Sequence, residues 1–175
     1  MHRLLLLRHA KAERSRPGER DRDRRLDDRG RDDAPRIGAY MAKHGLVPDR
    51  AVVSIAARTR ETWEAVAASL AETPTADFDD RIYEASPAAL LQVIKETSPE
   101  TQTLLIVGHN PGLQELATLL IATGDVETRQ RLKENFATSA LAVIEFALDG
   151  WDKLHPQAGR LAHFIDPRAI AAATD

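Results

Sequence analysis

The sequence contains no cysteine. Disulfide bonds, a thiolate nucleophile and a cysteine-ligated metal site are therefore all excluded, and the absence fits a reducing compartment. A long hydrophobic run is also missing at the amino terminus, where only four leucines precede Arg8. That run is too short for the core of a signal peptide or for a membrane span, so we expect a cytoplasmic protein without a membrane anchor.

The sequence also lacks a large excess of charge of either sign. The chain has 24 lysines and arginines against 27 aspartates and glutamates, a formal net charge of -3. This balance gives no overall attraction to nucleic acid or to an anionic membrane, so we expect neither as a partner, and any anion site must be local. Residues 13–33 alternate arginine and aspartate, which predicts a solvated loop over the strand ends with one or two arginines facing inward.

The length of 175 residues is typical of one ordinary domain. A domain of this size closes its own hydrophobic core without disulfides. No internal repeat, low-complexity tract or linker divides the sequence, so we expect residues 1–175 to form a single domain.

Short apolar runs predict the strands. Leu4–Leu7 and Thr103–Val107 are almost continuously apolar, which is typical of strands buried on both faces of a parallel sheet. Ala51–Ile55 and Ala76–Ile82 are weaker examples, and apolar residues at helical spacing follow each run. Alternating strands and helices predict an α/β domain whose sheet is mostly parallel.

Two β-like runs near the C-terminus, Ala140–Leu148 and Arg160–Ile165, predict an antiparallel addition at one side of the sheet. Helix ends are marked by capping residues. Ser86, followed by Pro87, predicts a helix start, and a later helix is expected to include Ile121.

The helix around Ile37 has two possible starts. Either Asp33 caps it with Pro35 in the first turn, or the helix begins earlier and kinks at Pro35. The sequence leaves both open.

Charged and imidazole side chains follow several of the predicted strands. Arg8 and His9 follow the first strand, Arg58 the second, Glu84 the third and His109 the fourth. Open α/β sheets bind ligands beyond the carboxyl ends of their strands, so these five side chains are expected to converge on one site.

Together these residues suit phosphoryl transfer. A neutral histidine is a competent nucleophile that forms a phosphohistidine intermediate. Arginine guanidinium groups match phosphate oxygens and neutralise their charge during transfer. A carboxylic acid such as Glu84 could protonate the leaving group and then activate water.

Each residue alone also has an ordinary structural explanation. A lone histidine at a strand end is more often structural than catalytic, and Arg60 competes with Arg58 for the same role. A metal site built on His9 and His109 lacks a ligand-spaced cluster around it.

Three segments resemble, in order, the motifs of the histidine phosphatase superfamily, which includes the phosphoglycerate mutases. Leu7–Lys11 resembles its Arg-His-Gly/Ala signature, Val53–Thr62 its Ser-x-x-x-Arg motif, and Val107–Pro111 the motif with the second histidine. Further matches are to the SixA-type phosphohistidine phosphatase branch: Arg24-Arg25-Leu26 before Arg29-Gly30, Phe136–Ala140, and Asp166-Pro167-Arg168.

The resemblance implies a three-layer α/β/α domain with a mostly parallel central sheet, and it implies roles for individual residues. His9 would be phosphorylated, and Arg8, Arg58 and His109 would complete the phosphate pocket. Arg24 and Asn110 would be additional phosphate contacts. The branch usually has proline at position 25, where this chain has arginine, so whether Arg24 or Arg25 faces the site is open.

We therefore expect a cofactor-independent and metal-independent phosphatase that acts through His9. Its substrate by resemblance is phosphohistidine on a phosphorelay or phosphotransferase-type protein, which gives it a role in signal transduction. A small-metabolite or sugar phosphate phosphatase is the first alternative, and an inactive phosphate-binding regulatory module is the second.

Overall fold

The computed structural model describes residues 1–174 of the chain. Its strands are β1 (His2–Arg8), β2 (Arg50–Ser54), β3 (Thr75–Asp79), β4 (Thr103–Gly108), β5 (Ile121–Gly124), β6 (Leu141–Phe146) and β7 (Gly159–Ile165). They form one seven-stranded sheet in the order β3-β2-β4-β1-β6-β7-β5. The pairings make β6 the one described strand that runs against the others, which confirms a mostly parallel sheet with an antiparallel addition near the C-terminus.

Helices cover both faces of this sheet. They are α1 (Asp28–Lys43), α2 (Ala57–Ala68), α3 (Pro87–Lys95), α4 (Gly112–Leu120), α5 (Val126–Glu134) and α6 (Pro167–Thr174), with short 3-10 helices at Asp21–Asp23, Asp80–Ile82 and Trp151–Lys153. One core cluster joins the sheet to α3 and α4, and the other joins it to α1 and α2. The three-layer α/β/α architecture is therefore confirmed.

The four leucines of β1 explain why this strand lies at the centre of the sheet. Leu4 and Leu6 belong to one core cluster, whereas Leu5 and Leu7 belong to the other. All four are 0% exposed. Burial of each leucine side chain stabilises the folded state by on the order of 1.5–3 kcal/mol. β1 pairs in parallel with β4, with Arg8 opposite Gly108, so Arg8, His9 and His109 emerge at the same edge of the sheet.

The helix around Ile37 takes the earlier of its two possible starts. Asp27 caps α1 by accepting a hydrogen bond from the Gly30 backbone N–H, and Pro35 lies inside the helix. Gly30 is needed there because a Cβ atom would lie only 2.1 Å from the Lys11 carbonyl oxygen. Ser86 caps α3 as predicted, accepting from the Ala89 N–H.

The clearest departures from the predicted bounds are at the third strand and at β5. The third strand ends at Asp79 rather than Ile82, because the Asp79 side chain accepts from the Arg81 N–H and starts a 3-10 helix. Ile121 begins β5 instead of continuing α4. β5 is held by pairing with β7, a long-range contact that local helical spacing does not reveal.

No helix within residues 1–174 is long and apolar enough to cross a membrane.

Candidate active site

The backbone at the end of β1 is held from two sides. The His9 N–H donates to the Gly108 carbonyl at 3.1 Å, which ties the end of β1 to the end of β4. On the other side, the Ser139 N–H donates to the carbonyl oxygens of Arg8 and His9 at 3.2 and 3.1 Å. These bonds fix the direction in which the Arg8 and His9 side chains leave the sheet.

His9 has a free ring nitrogen and is uncharged at neutral pH. Its ring is 8% exposed, and Nδ1 lies 2.7 Å from the Ala10 carbonyl oxygen. A carbonyl oxygen only accepts, so Nδ1 carries the proton and Nε2 keeps its lone pair. Burial is the main cause that lowers the pKa of His9 to about 3, and the charges of His109, Arg58 and Arg8 lower it further, against the opposing effect of the Ala10 hydrogen bond.

His109 is held in the opposite tautomer. Its Nδ1 is 3.3 Å from Arg58 Nη2, and its Nε2 is 2.7 Å from Ser54 Oγ. A guanidinium group only donates, so Nδ1 accepts and Nε2–H donates to the serine. Burial first, and then Arg58, lower the pKa of His109 to about 4. Its ring centroid lies 5.4 Å from that of His9.

Arg58, rather than Arg60, addresses the site. Arg58 is buried and bonded to His109, whereas Arg60 donates Nε–H to the Ile55 carbonyl and lies over the Phe78 ring at 4.1 Å. The two arginines therefore point to different surroundings.

Thr62 ties the start of α2 to the residue after His9, because its Oγ1 donates to the Arg58 carbonyl and accepts from the Ala10 N–H.

Arg8 supplies the second guanidinium group. Its Nη1 donates to the Phe136 carbonyl at 3.0 Å, and its pKa is lowered by burial and then by the charge of Arg58. The Nε atoms of Arg8 and Arg58 are both buried without a hydrogen-bond partner. Buried donors are normally satisfied, so two unpaired guanidinium N–H groups make this place suitable for an anion.

Asp21 and Tyr83 are members of the site that sequence reasoning missed. The Asp21 carboxylate accepts hydrogen bonds from Arg58 Nη2 at 3.0 Å, from Arg24 Nε at 3.0 Å, and from the Tyr83 hydroxyl. Burial raises the pKa of Asp21, but the hydrogen bonds from Tyr83 and Arg58 outweigh it and lower the pKa to about 2. Burial and the bond to Asp21 raise the pKa of Tyr83 to about 12.

The structure also places the two arginines whose direction the sequence left open. Arg24 is directed inward, with a 24% exposed side chain that bonds to Asp21 and to the Glu13 carbonyl. Arg25 is 72% exposed and pairs with Glu61. Arg24 therefore lies beside the Arg58 guanidinium, through the carboxylate that they share, and its role as a phosphate contact stays a prediction.

Asn110 and Glu84 lie at the edge of this group. Asn110 donates from Nδ2 to the Phe136 carbonyl, the oxygen that also accepts from Arg8. Glu84 is exposed and has a positive φ of 53°. It follows Tyr83, whose ring centroid is 5.5 Å from that of His109. Their roles, as phosphate contact and as general acid, stay predictions.

The arrangement thus combines a free imidazole nitrogen, a second buried imidazole, the buried Arg58 guanidinium and the half-buried Arg8 guanidinium at one sheet edge. It can bind a tetrahedral oxyanion and attack it. Within residues 1–174, no group of three or more histidine, aspartate and glutamate side chains is placed to hold a metal ion.

Comparisons with known proteins agree with this geometry. The sequence profile of the histidine phosphatase superfamily (branch 1) matches residues 4–89. An Agrobacterium tumefaciens protein assigned as the phosphohistidine phosphatase SixA is 32% identical, with a TM-score of 0.81 over 95% of this chain and 98% of its own. One with the same assignment from Nakamurella multipartitia is 26% identical, with a TM-score of 0.82 over 95% and 96%. The uncharacterized protein Rv1276c of Mycobacterium tuberculosis is 32% identical over 164 residues, covering 93% of this chain and 100% of the relative.

Proposed function

The chain belongs to the histidine phosphatase superfamily, in its SixA-type branch, and from this premise we propose that it removes phosphoryl groups from phosphohistidine on proteins. It is a phosphatase, a hydrolase acting on a phosphorylated substrate. The proposal assigns the covalent intermediate to His9. The observation that carries it is the Nδ1–Ala10 hydrogen bond, which leaves Nε2 of a neutral imidazole free beside the half-buried Arg8 and the buried Arg58.

In the first step the Nε2 lone pair of His9 attacks phosphorus. The bond from phosphorus to the substrate imidazole breaks, and the imidazole leaves with its electron pair. In the second step water attacks phosphorus, the phosphorus–Nε2 bond breaks, and inorganic phosphate leaves with both protons of the water. The Nδ1 proton of His9 stays hydrogen-bonded to the Ala10 carbonyl oxygen in both steps. His9 therefore leaves the second step as a neutral imidazole.

Arg8 and Arg58 have the role of stabilising the transferring group, and His109, whose Nδ1 accepts from Arg58 and whose Nε2–H donates to Ser54, completes the pocket by holding Arg58 in place. Charge moves to the equatorial oxygens during phosphoryl transfer, and fixed donors in a water-poor site stabilise that charge more strongly than water does. Arg58 is fixed by His109 and Asp21, and Arg8 by the Phe136 carbonyl. Neither guanidinium has to reorganise when the charge develops.

The proton donors available around His9 favour phosphohistidine over an alkyl phosphate as the substrate. Among the described residues around His9, Asp21 is a carboxylate with a pKa of about 2, and Tyr83, whose pKa is about 12, already donates to it. A phosphohistidine protonated on its second ring nitrogen leaves as neutral imidazole and needs no acid from the enzyme. An alkyl phosphate leaves as an alkoxide and does need one.

A second candidate, a phosphatase of small metabolites, is supported by Glu84. This residue has a left-handed backbone conformation that is unfavourable for glutamate, and such strain occurs preferentially at functional sites. If the Glu84 carboxyl protonates the leaving group, alkyl and sugar phosphates become accessible substrates.

A comparison of leaving groups separates the two candidates. We would measure kcat/KM for a phosphohistidine peptide, an aryl phosphate and an alkyl phosphate, with wild type, Glu84→Gln and the control Glu100→Gln, an exposed residue just before β4. The proposal predicts that the phosphohistidine peptide has the highest kcat/KM. Glu84→Gln should lower kcat/KM less for this peptide than for the aryl or the alkyl phosphate. Preference for the alkyl phosphate, with a loss of about a hundredfold or more in Glu84→Gln, would favour the metabolite phosphatase. Absence of turnover on all three would leave a phosphate-binding module.

We also propose that the protein acts in the cytoplasm and in signal transduction, since phosphohistidine on phosphorelay or phosphotransferase proteins is the substrate class that the SixA likeness suggests.

A further inference from the structure

A second polar cavity lies beside the candidate active site. Its volume is about 560 Å³, and α1, the segment before β6, and the start of α6 all contribute to its walls. We call it the arginine cavity, after its charged lining. The lining residues that matter here are Arg29, Asp33, Arg36, Thr138, Asp166 and Arg168.

The arginine cavity opens at the same sheet edge as His9. β6 lies between β1 and β7, with Leu141 opposite both Leu7 and Ile165. The residues just before Leu141 and just after Ile165 are therefore level with the end of β1. Neighbouring strands are about 4.8 Å apart, so the backbones at the ends of β1 and β7 lie roughly 10 Å apart across the sheet. The segment 136–139 adjoins both places, because its Ser139 N–H bonds to the His9 carbonyl and Ala137 and Thr138 line the cavity.

The charges of the arginine cavity are unequal. Its lining includes three arginines and two aspartates. The buried Asp33 carboxylate is shared by Arg29 at 3.4 Å and Arg36 at 3.3 Å. The Asp166 side chain caps α6 by accepting from the Ala169 N–H. Arg168 makes no ion pair within residues 1–174, and the described lining carries one more guanidinium group than carboxylate groups.

The ion pairs of Asp33 also fix two of these guanidinium groups. Asp33 is 5% exposed, and a buried carboxylate between two arginines holds both in place while they remain more than half exposed. Prepositioned arginines lose less conformational freedom when they bind an anion. Thr138 adds a neutral hydrogen-bonding side chain to the same wall.

We propose that the arginine cavity binds a second anionic group, a carboxylate or a phosphate, of the same substrate whose phosphoryl group is transferred to His9. This inference rests on the proposed function and deepens it, because it defines the substrate by two acidic groups whose separation is on the order of the 10 Å between the two strand ends. Three extended residues span that distance. An acidic side chain of a phosphoprotein and the second acid group of an elongated metabolite are the two sources of this chemistry.

The test uses matched pairs of substrates, one pair for each source. The first pair is a phosphohistidine peptide with glutamate three residues after the phosphohistidine, and the same peptide with glutamine. The second pair is hexane-1,6-diyl bisphosphate and hexyl phosphate. The quantity measured is the ratio of kcat/KM within each pair, as a function of salt concentration, with the ratio of the second pair halved because the bisphosphate carries two equivalent phosphates.

Wild type should prefer the diacidic member of at least one pair by about three- to tenfold, as is typical of partly exposed charge pairs. The preference should shrink as salt is added, and Arg168→Gln should reduce it to below about twofold. Lys43→Gln removes one positive charge from the exposed far end of α1 and should leave the preference intact. A preference in the peptide pair alone identifies an acidic protein side chain, and one in the bisphosphate pair alone identifies a metabolite.

The inference is overturned if neither pair shows a preference, or if Arg168→Gln and Lys43→Gln change the ratios equally. Binding to His9→Ala, measured by calorimetry, separates this failure from failure of the proposed function. If no substrate turns over but His9→Ala still binds the bisphosphate more tightly than hexyl phosphate, the cavity is supported and the catalytic assignment is wrong. Equal binding of the two compounds rejects the cavity whatever the turnover.

Discussion

Two pairs of histidines lie close together in this fold, and their surroundings differ. The rings of His9 and His109 are 5.4 Å apart at the ends of two buried strands, with Arg58 bonded to one of them. The rings of His44, the C-cap residue of α1, and His163 on β7 are 6.1 Å apart, and the Tyr40 hydroxyl is hydrogen-bonded to His163 at 3.0 Å. Within residues 1–174, no guanidinium group hydrogen-bonds to either ring of the second pair.

The comparison indicates that proximity of two imidazoles does not make a phosphoryl-transfer site. The first pair stands at the carboxyl ends of β1 and β4, where backbone bonds fix the side chains. It also has two guanidinium groups whose Nε–H donors are buried and unpaired. The second pair lies at the C-terminal cap of α1 and on the body of β7, where packing and one tyrosine explain its geometry. The following predictions test whether the guanidinium groups, the burial or mere proximity cause the difference.

The largest effect is expected from removing Arg58. Loss of a charge-assisted, buried contact to the transferring group costs on the order of 2–5 kcal/mol, so Arg58→Ala should lower kcat/KM by about 30-fold to several thousandfold. Arg58→Lys keeps the charge but loses the planar fork, and should fall between Ala and wild type. Steady-state kinetics with an aryl phosphate would measure both.

Arg60→Ala is the matched control, because Arg60 lies on the same helix and packs on Phe78. Its kcat/KM should stay within about threefold of wild type, which is well under 1 kcal/mol. Equal damage from the two alanine substitutions, in proteins with native circular dichroism and cooperative melting, would contradict the assignment of Arg58.

A smaller effect is expected in the pH dependence of stability. The pKa of His9 is about 3 and that of His109 about 4 in the fold, against about 6.5 when unfolded. The unfolded chain binds more protons between these values, so stability is full above pH 6.5 and decreases as pH falls towards 4. Each histidine contributes up to about 1.4 kcal/mol per pH unit to this slope.

Replacing His9 by Gln should therefore flatten the stability profile between pH 4.5 and 6.5, as measured by urea unfolding. His163→Gln is the comparison, since the pKa of half-buried His163 is lowered by burial and then by His44, but less strongly. The prediction fails if His163→Gln flattens the profile as much as His9→Gln does.

The smallest effect is expected on turnover when the second pair is disrupted. His163→Ala removes one hydrogen bond to Tyr40 and should cost about 0.5–1.5 kcal/mol of unfolding free energy. His163 lies away from the strand ends that carry His9 and His109. The kcat of His163→Ala should therefore stay within about twofold of wild type, a change of less than about 0.5 kcal/mol in activation free energy. A tenfold loss of kcat, reproduced by Tyr40→Phe, would show that the second pair contributes to catalysis after all.

Much of this fold can be predicted from the sequence, because the central strands correspond to continuous apolar runs of residues. The leucines before Arg8 and the run before His109 have no polar interruption, so their burial and their ends are evident. The antiparallel addition is predictable for the same reason, from two β-like runs with turn residues between them. The convergence of residues at one edge then follows from the rule that parallel strands end together.

Other features depend on contacts that no local pattern encodes. Asp21 bonds to Arg58 from 37 residues away, and the surrounding alternation of arginine and aspartate does not single it out. A tertiary contact also restricts the first turn of α1, since a Cβ atom at Gly30 would lie 2.1 Å from the Lys11 carbonyl oxygen. β5 exists only because β7 is beside it. The inward direction of Arg24 is set by the same carboxylate that holds Arg58.

The central claim is that Nε2 of His9 carries the phosphoryl group during turnover. The direct measurement is to quench wild type and His9→Ala with base during turnover of a ³²P-labelled substrate, digest them, and locate the label by mass spectrometry. The account predicts label that is stable to base and labile to acid, on the peptide containing His9, and none in His9→Ala. Label that persists in His9→Ala, or that is found on His109 in wild type, would contradict it.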